Sequence, residues 1–398
     1  MKILFISPRL PFPLDTGGKI RTFNILKQLA KKNIVHLVSF SFEPNDRDYI
    51  ADFEKLGVEV NLVPMEEPTV LQKISVVLLN PIPYSINKYN TLFMRQAIED
   101  LCKTQSFDAV HVDHLHMAHY TDLCKNIPCF LDEHNVEYRI LERCGDVETN
   151  LLKKLLYRQQ SFKMKAFEAK KIKEFWGVFC CSLDDQRLLS SLSPGRSLVH
   201  VVANGVDTEF FNTPRPNGEI IEEDALVFTG SMDWLPNDDS ITYFCGKILP
   251  LIWQKNGSIR FYVVGKNPST MVKDLAKHDN RVIVTGRVDD VRSYIHRSKV
   301  FIVPLRIGGG TRLKILEAMS MGKVVVSTSI GAEGIECTDG QNILLGDQPQ
   351  DFADKVLSLF NDPQRSKDIG LKARQFVCER YDWDIIGQKL NAIYEEKT

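Results

Sequence analysis

The sequence predicts an α/β protein built from two similar halves, each a parallel β-sheet flanked by helices. In the first 200 residues, short apolar runs rich in Val, Ile and Phe alternate with amphipathic helical stretches, a pattern typical of such sheets. The same alternation starts again after residue 220. Between the halves lies "SLSPGRSLVHVVANGVDTEFFNTPRPNGEI", which is dense in Pro, Gly, Asn and Ser and therefore predicts the boundary and a hinge.

Each predicted element follows from its local pattern. The first half opens on the strand "KILFIS", a helix near residues 18–31 and the strand "VHLVSF", and its later strands are "DAVHVD", "CFLDEH" and "WGVFCCS". The strands of the second half are "ALVFTGS", "RFYVVG", "RVIVTG", "VFIVPL", "KVVVST" and "NILLG". Apolar spacing at Trp383, Ile386, Leu390 and Ile393 predicts a closing helix that has no strand of its own to cover.

Composition excludes several classes of protein. A chain of 398 residues with 43% hydrophobic residues is expected to form two domains. Its formal net charge of -1 argues against nucleic-acid binding. Nine cysteines without a C-x-x-C pair favour reduced thiols in a cytosolic protein over a disulfide framework.

Neither a signal peptide nor a membrane span is predicted. The apolar run at the N-terminus stops at Pro8, and the longest stretch without charge, from Ile74, is broken by Pro81 and Pro83. Residues 151–176 carry eight basic residues on a helical pattern, and this helix could lie on an anionic membrane surface or simply cover the sheet. The predicted location is cytoplasmic, with peripheral contact at the inner face of the membrane left open.

Residues 307–321, "IGGGTRLKILEAMSM", form the strongest candidate site. Three glycines after a strand leave no side chain between the backbone and a ligand, and the amides of a new helix suit a phosphate. Arg312 and Lys314 add positive charge at a helix start, where it is otherwise unfavourable, and this favours a bound anion over a solvated loop. Glu317 is expected roughly 8 to 9 Å further along the axis, near the ribose of a bound nucleotide.

A second glycine loop follows the first strand, where Gly17 and Gly18 open a helix. Ligands of open α/β sheets bind at the carboxyl ends of the strands, so one such loop from each half could face a shared cleft. The sequence lacks a G-x-G-x-x-G motif, and this disfavours a dehydrogenase.

Polar residues follow two further strands. "HVDHLHMAHY" gathers Asp113 with four histidines, which are His111, His114, His116 and His119. A metal site is the weaker interpretation, because strand alternation separates neighbouring side chains and no third ligand group is evident. A polar contact of Asp113 with a cleft is favoured, and "FLDEHNVEYRI" suggests the same for Glu133, His134 and Asn135.

Several of these stretches resemble the retaining glycosyltransferases of family 4, which have the GT-B fold of two facing Rossmann-like domains with a cleft between them. The resemblance is carried by "SPRLPFPLDTGGKIRTFNILKQL", "FDAVHVDHL", "VVANGVDTEFF", "LVFTGSMDWLPN", "YVVGKNP", "YDWDIIGQKL" and the long segment from "VTGRVDD" to "KVVVST". It implies an N-terminal acceptor-binding domain over 1–205, a C-terminal nucleotide-sugar domain over 206–376, and a helix over 377–398 that returns to the N-terminal domain.

The chain departs from the family pattern at three places. Of the two motif glutamates, the second matches Glu317 and the first falls on Gly309. The Arg and Lys usual after the first strand of the second domain are missing, since "FTGSMDWLPN" offers only Ser231, and Arg312 and Lys314 are expected to supply that charge. The usual cleft histidine corresponds to Asp113. We interpret the chain as a divergent subgroup similar to enzymes of exopolysaccharide gene clusters.

The resemblance implies a hexosyltransferase that moves a sugar from a nucleotide-sugar donor to a saccharide or lipid-linked acceptor with retained configuration. No metal or other cofactor is expected. Asp113, Arg312 and Lys314 are the expected catalytic residues. The expected donor-binding residues are Gly17, Gly18, Gly309, Gly310, Thr311, Arg312, Lys314 and Glu317. Two alternatives stay open: a sugar-nucleotide epimerase or hydrolase on the same fold, and a non-catalytic nucleotide-sugar-binding partner.

Overall fold

The first sheet has seven parallel strands. Helices bury both of its faces, which is why its strands are apolar. The computed structural model describes residues 1–66, 69, 76–77, 80–194, 198–212, 223–308 and 310–397. Strand order is β3-β2-β1-β4-β5-β6-β7, and every pair is parallel. The strands are β1 Lys2–Ser7, β2 Ile34–Ser41, β3 Val58–Pro64, β4 Ala109–Asp113, β5 Cys129–Glu133, β6 Gly177–Cys180 and β7 Leu198–Val201.

Side-chain caps define where several helices around this sheet begin. Thr16, Thr91, Asn150 and Ser182 each accept a hydrogen bond from an amide of the helix that follows, which satisfies a donor that the helix itself cannot pair. The helices are α1 Gly17–Ala30, α2 Ile50–Glu54, α3 Tyr84–Asn87, α4 Leu92–Thr104, α5 Glu137–Val147, α6 Leu151–Lys171 and α7 Leu183–Leu192. Three 3-10 helices accompany them, at Pro44–Tyr49, Leu115–Leu123 and Ile172–Glu174.

The second sheet is smaller and built in the same way. Its six parallel strands follow the order β10-β9-β8-β11-β12-β13. They are β8 Glu223–Thr229, β9 Arg260–Val264, β10 Val282–Gly286, β11 Ser298–Val303, β12 Val324–Ser327 and β13 Leu344–Leu345. The helices are α8 Leu235–Tyr243, α9 Leu249–Lys255, α10 Thr270–His278, α11 Arg292–Arg297, α12 Leu313–Ser320, α13 Pro349–Asn361, α14 Pro363–Arg380 and α15 Trp383–Lys397, with a π-helical turn at Phe244–Ile248.

Internal contacts divide the chain into two compact units. The first unit comprises Met1–Ala203 with Ile386–Thr398, and the second comprises Asn204–Ile385. The predicted border between the two domains lies two residues later than the observed one. The predicted return of the chain to the first domain lies nine residues earlier than the observed return. The second difference arises because α14 continues to Arg380, and Tyr381 and Trp383 are buried. The prediction of two parallel-sheet, Rossmann-like α/β halves is confirmed.

Two details of the sequence prediction need correction. The segment predicted as a hinge contains β7, which pairs with β6 and completes the first sheet. The predicted strand "NILLG" is reduced to the two residues of β13. No helix among the described residues combines the length and the apolar composition needed to cross a bilayer.

Candidate functional site

The predicted phosphate-binding turn lies between β11 and α12 in the second unit. Gly308 and Gly310 have φ values of 138° and 72°, which side chains rarely adopt, so glycine is required for this path. Gly309, which was predicted to bind the donor, lies outside the described residues. Arg312 is the N-cap of α12, and no side chain caps the helix. The first amides of α12 therefore lack intrahelical acceptors and are available to an anion.

Arg312 is packed closely into this turn. Its side chain is only 5% exposed, and its guanidinium lies 5.4 Å from the centre of the Trp234 ring. A Cβ on Gly308 would collide with the guanidinium, which explains a glycine at that position. The sequence placed Arg312 in the first helical turn, whereas the helix begins one residue later, at Leu313.

Lys314 reaches from α12 to the carboxyl end of β8. Its Nζ donates a hydrogen bond to Asn237 Oδ1 at 2.9 Å and lies 3.9 Å from the centre of the Phe228 ring. A Cβ on Gly230 would lie 2.6 Å from this Nζ, so the glycine after β8 makes room for it. Lys314 thus places positive charge beside the loop after β8. This loop lacks the Arg and Lys that are usual there in the glycosyltransferases of family 4, which the sequence resembles.

Glu317 is half-buried in the same helix. Burial raises the pKa of its carboxyl to about 7, against a smaller opposing effect of Lys314. Burial also lowers the pKa of Lys314 to about 7, with a further lowering by Arg312 and a partial offset by Glu317. Because α12 begins at Leu313, Glu317 lies about 6 Å along the axis from the first helical residue, closer than expected.

Thr311 also belongs to this turn. Its hydroxyl is buried and has no hydrogen-bond partner among the residues that the structure describes. A buried hydroxyl without a partner is costly, so a ligand oxygen that reaches it would be stabilised.

The first unit contains a separate pocket of about 210 Å³ at the carboxyl ends of β1 and β4. Gly17 is the first residue of α1, and Gly18 lines the pocket. The lining residues are Ser7, Pro8, Arg9, Pro11, Thr16, Gly18, Lys19, Thr22, Tyr89, Asp113, His114, His116 and Glu137.

The Asp113 carboxylate is at the base of this pocket and is fully engaged. Ser7 Oγ donates to it at 2.8 Å, Thr22 Oγ1 at 3.0 Å, and His134 Nε2 lies 2.8 Å from Oδ1. Burial would raise the pKa of Asp113, but His114 and His134 outweigh this effect and lower it to about 2. Asp113 therefore lines the pocket, and its oxygens are already occupied by protein donors.

His134 lies between two carboxylates. Burial lowers its pKa, but Asp113 and Asp132 outweigh burial and raise it to about 9. Asp132 also pairs with Arg21 through two hydrogen bonds of 3.0 and 2.6 Å, and both side chains are buried. The sequence predicted His134 but missed the ion pair, whose partners are 111 residues apart.

Two predicted cleft contacts are corrected by the structure. His111 is fully buried, where Nδ1 lies 2.7 Å from the Tyr394 hydroxyl and the ring stacks on Phe5. Glu133 is 1% exposed, and burial together with the neighbouring Glu168 raises its pKa well above the ordinary value. Asn135 is half-buried in the loop after β5.

Within the part of the chain that the structure describes, three sets of side chains bring metal-ligating atoms within 4.8 Å of one another, and all three sets are in the first unit. In two of these sets, Asp113 is a member, and its oxygens already accept hydrogen bonds from the protein. The sets are Asp113, His114 and His134; His111, Asp113 and Asp132; and His114, His116 and Glu137.

Comparison with protein families decides the class. Residues 16–210 match the model described as Glycosyltransferase Family 4, and residues 223–362 match the model described as Glycosyl transferases group 1. The chain belongs to the glycosyltransferases. Solved structures agree with this assignment at the level of the fold, which is the GT-B arrangement of two Rossmann-like domains.

Two solved structures illustrate the similarity of this glycosyltransferase fold. Anabaena HepE in complex with UDP and glucose is 14% identical, with a TM-score of 0.68 over 99% of both chains. Sucrose-phosphate synthase from Thermosynechococcus elongatus is 16% identical, with a TM-score of 0.75 over 100% of this chain and 98% of that one.

Curated relatives of the glycosyltransferase match over shorter lengths. An uncharacterised 44.6 kDa protein in the cps region of Klebsiella pneumoniae is 27% identical over 39% of this chain and 42% of its own length. A GDP-mannose-dependent monoacylated alpha-(1-6)-phosphatidylinositol monomannoside mannosyltransferase of Corynebacterium glutamicum is 21% identical over 49% and 55%. The chain thus spans about half the length of these relatives.

Two residues beside the candidate sites were not predicted from the sequence. Asn237 holds Lys314, and its signal in the sequence was the glycine after β8 followed by Pro236 at the start of α8. Glu137 is the first residue of α5 and lines the pocket. The contacts predicted after β5 end two residues earlier, at Asn135.

Proposed function

We propose that this glycosyltransferase moves a sugar from a nucleotide-sugar donor to a saccharide or lipid-linked acceptor with retained anomeric configuration. The observation that carries the proposal is the start of α12, where uncapped amides, Lys314 and Glu317 lie within two helical turns. An anion at the amides would favour the charged form of Lys314. A ribose hydroxyl would hydrogen-bond the Glu317 carboxylate.

Donor activation follows from the charges at this helix. In the transition state the departing nucleoside diphosphate gains negative charge. Uncapped amides of α12, with Arg312 and Lys314, would stabilise that charge as preorganised electrostatics, so the proposed step needs no metal at the diphosphate. We assign no side chain as a nucleophile.

The acceptor is proposed to bind the first unit, in the pocket that His114 and Asp113 line. Asp113 would act there as a positioning residue, because its carboxylate holds Ser7, Thr22 and His134. The Klebsiella relative of a cps region and the mannosyltransferase named for a phosphatidylinositol acceptor support a role in cell-surface polysaccharide or glycolipid synthesis.

Binding measurements test the donor site. Lys314→Ala and Glu317→Ala are each expected to weaken nucleotide-sugar binding at least tenfold, or about 1.4 kcal/mol, in calorimetric titrations with UDP- and GDP-sugars. Lys277→Ala is the matched control, since this exposed lysine of α10 pairs only with Asp274 among the contacts described. Unchanged binding in both site variants would reject the donor site.

Two further outcomes separate the alternatives. Turnover of the donor without any acceptor would indicate an epimerase or a hydrolase. Absence of nucleotide and nucleotide-sugar binding by the wild-type protein would indicate a non-catalytic partner. Analysis of the anomeric configuration of the product by NMR tests retention.

A further inference from the structure

Three side chains of the described residues converge on the first-unit pocket without side-chain hydrogen bonds of their own. The ligating atoms of His114, His116 and Glu137 lie within 4.8 Å of one another, and all three residues line the pocket. Among the described residues, none of the three side chains takes part in a hydrogen bond or an ion pair. Two imidazoles and one carboxylate whose ligating atoms lie this close together form a donor set of the kind that binds a metal ion.

Separate elements hold the three residues in place. His114 follows β4 with φ of 67°, and its ring lies 3.5 Å from that of His134, centre to centre. His116 is in the 3-10 helix Leu115–Leu123. Its ring meets that of Tyr89 edge-on at 5.6 Å.

The third residue is anchored through its backbone. Glu137 is the first residue of α5, and its amide donates a 3.0 Å hydrogen bond to Glu168 Oε1. Glu168 is fully buried in α6 and also accepts from the Tyr138 amide. The start of α5 is thereby fixed, so the Glu137 carboxylate is directed from a rigid position.

Two other charged groups of the pocket, Asp113 and Lys19, already have partners within the protein. The oxygens of Asp113 are occupied by Ser7, Thr22 and His134. Lys19, a cation of the pocket wall, pairs with Asp15 at 3.1 Å. Neither Asp113 nor Lys19 therefore takes up the side-chain atoms of His114, His116 or Glu137.

We propose that His114, His116 and Glu137 bind a divalent transition-metal ion, with Zn²⁺ as the favoured ion, and leave one coordination position open to the pocket. Two imidazole nitrogens with one carboxylate oxygen suit Zn²⁺, whereas Mg²⁺ and Ca²⁺ prefer oxygen ligands throughout. Ligand atoms of a tetrahedral zinc lie roughly 3.3 Å apart, so side-chain rotations that move each atom by about 1 Å complete the site.

The open position gives the ion a chemical role in the pocket. It takes an oxygen ligand, which is water in the unliganded protein and a hydroxyl group of a bound saccharide when one is present. This site is distinct from the start of α12. Binding of the ion does not depend on the proposed sugar transfer, whereas its saccharide ligand rests on the acceptor pocket proposed above.

Metal titration tests the inference. The full chain, stripped with a chelator, is expected to bind one equivalent of Zn²⁺ by calorimetry. His116→Ala and Glu137→Gln are each expected to weaken binding at least about tenfold, because losing a direct ligand costs at least as much as losing an outer partner. His278→Ala and Glu54→Gln change exposed residues outside the pocket and should bind as the wild type does.

Co²⁺ provides a second readout that does not depend on activity. The wild-type chain should give the intense visible absorption of four-coordinate Co²⁺, and Glu137→Gln should lose it. Glu137→Gln preserves side-chain shape, and equal melting temperatures in metal-free buffer show that it folds. Absence of saturable 1:1 Zn²⁺ binding, equal binding by both site variants, or a preference for Mg²⁺ would overturn the inference.

Discussion

Lys314 and Glu317 lie where burial opposes the charge that each carries in water. Burial moves the pKa of both groups to about 7, the lysine downward and the glutamate upward. Shifts of this kind concentrate at functional sites, since a bound ligand compensates the cost. At the residue scale, these two pKa shifts agree with the uncapped start of α12 in marking this helix as a candidate site.

Glu317→Gln is expected to stabilise the unliganded protein at pH 8 but not at pH 4. The folded state holds the Glu317 proton up to about pH 7, whereas an unfolded glutamate releases it near its ordinary pKa of 4.5. Between these values the folded state binds more protons, so wild-type stability falls as the pH rises. Because the site is half-buried and Lys314 loses a partner, we expect a gain of about 1 kcal/mol at pH 8.

Thermal unfolding across this pH range measures the effect. Glu379→Gln makes the same substitution on the exposed surface of α14, outside α12, and is the control. A Glu317→Gln melting temperature that tracks the wild type from pH 4 to 8 would mean that the carboxyl is not perturbed.

Local sequence rules indicate candidate site residues only where these residues are contiguous. Arg312, Lys314 and Glu317 follow one glycine turn, so local rules were sufficient to indicate them. Asn237 meets Lys314 across 77 residues, and such a contact depends on the packing of α8 beside α12. His111 was misjudged because α15 covers it, and no local pattern indicates which strand a terminal helix will cover.

At the scale of elements, α6 has an unusual distribution of side chains. Its buried residues, Ser161, Met164 and Glu168, lie on one face. The opposite face is apolar and exposed, with five large side chains that are between 43% and 79% accessible: Leu151, Leu152, Leu155, Leu156 and Phe162. Basic residues flank this face, including the exposed Arg158 and Lys165. Such a helix suits the surface of an anionic membrane, and we propose peripheral contact there.

Vesicle binding tests this surface of α6. We expect the wild-type protein to float with vesicles that contain anionic lipids and Leu155→Glu to bind them at least tenfold more weakly, because a charge replaces apolar contact. Leu371→Glu alters a leucine of the second unit that is 55% exposed and serves as the control. Equal binding of neutral and anionic vesicles, or no loss in Leu155→Glu, would contradict the proposal.

Strand prediction succeeded for the central strands of both sheets and failed at the edges of the first sheet, β3 and β7. The central strands β1, β4, β8 and β11 are rich in buried apolar residues, and all were predicted. The edge strand β3 was missed, since Glu59 and Asn61 interrupt its apolar pattern. Solvent on one side of an edge strand permits such residues.

Each unit, taken by itself, places its candidate site at the same point of its sheet. Strand order reverses between β1 and β4 in the first sheet and between β8 and β11 in the second. The pocket contacts Ser7 and Asp113 at the ends of β1 and β4, and Lys314 reaches the end of β8. Open α/β sheets bind ligands at such reversal points. At the scale of the whole molecule, the repeated topology therefore accounts for two sites that local motifs only partly indicated.

The last residues of the chain belong to the unit formed by its beginning. Tyr394 of α15 is fully buried, hydrogen-bonds His111 and packs 4.3 Å from the Phe130 ring, centre to centre. Tyr394→Ala should therefore destabilise the first unit by about 3 to 5 kcal/mol, the usual cost of removing a large aromatic side chain from a core. Its effect should be confined to Met1–Ala203 and Ile386–Thr398, because these residues share the core.

Hydrogen exchange read by mass spectrometry shows which unit opens. Tyr394→Ala is expected to lose amide protection in β1, β4 and β5, while β8 to β12 keep theirs. The matched variant, Tyr262→Ala, removes a buried tyrosine of β9 and should give the reverse pattern. Both variants remove a buried tyrosine, one from each unit. The comparison therefore isolates the role of the returning helix. Equal loss of protection in both units for Tyr394→Ala would mean that the chain unfolds as a single cooperative body.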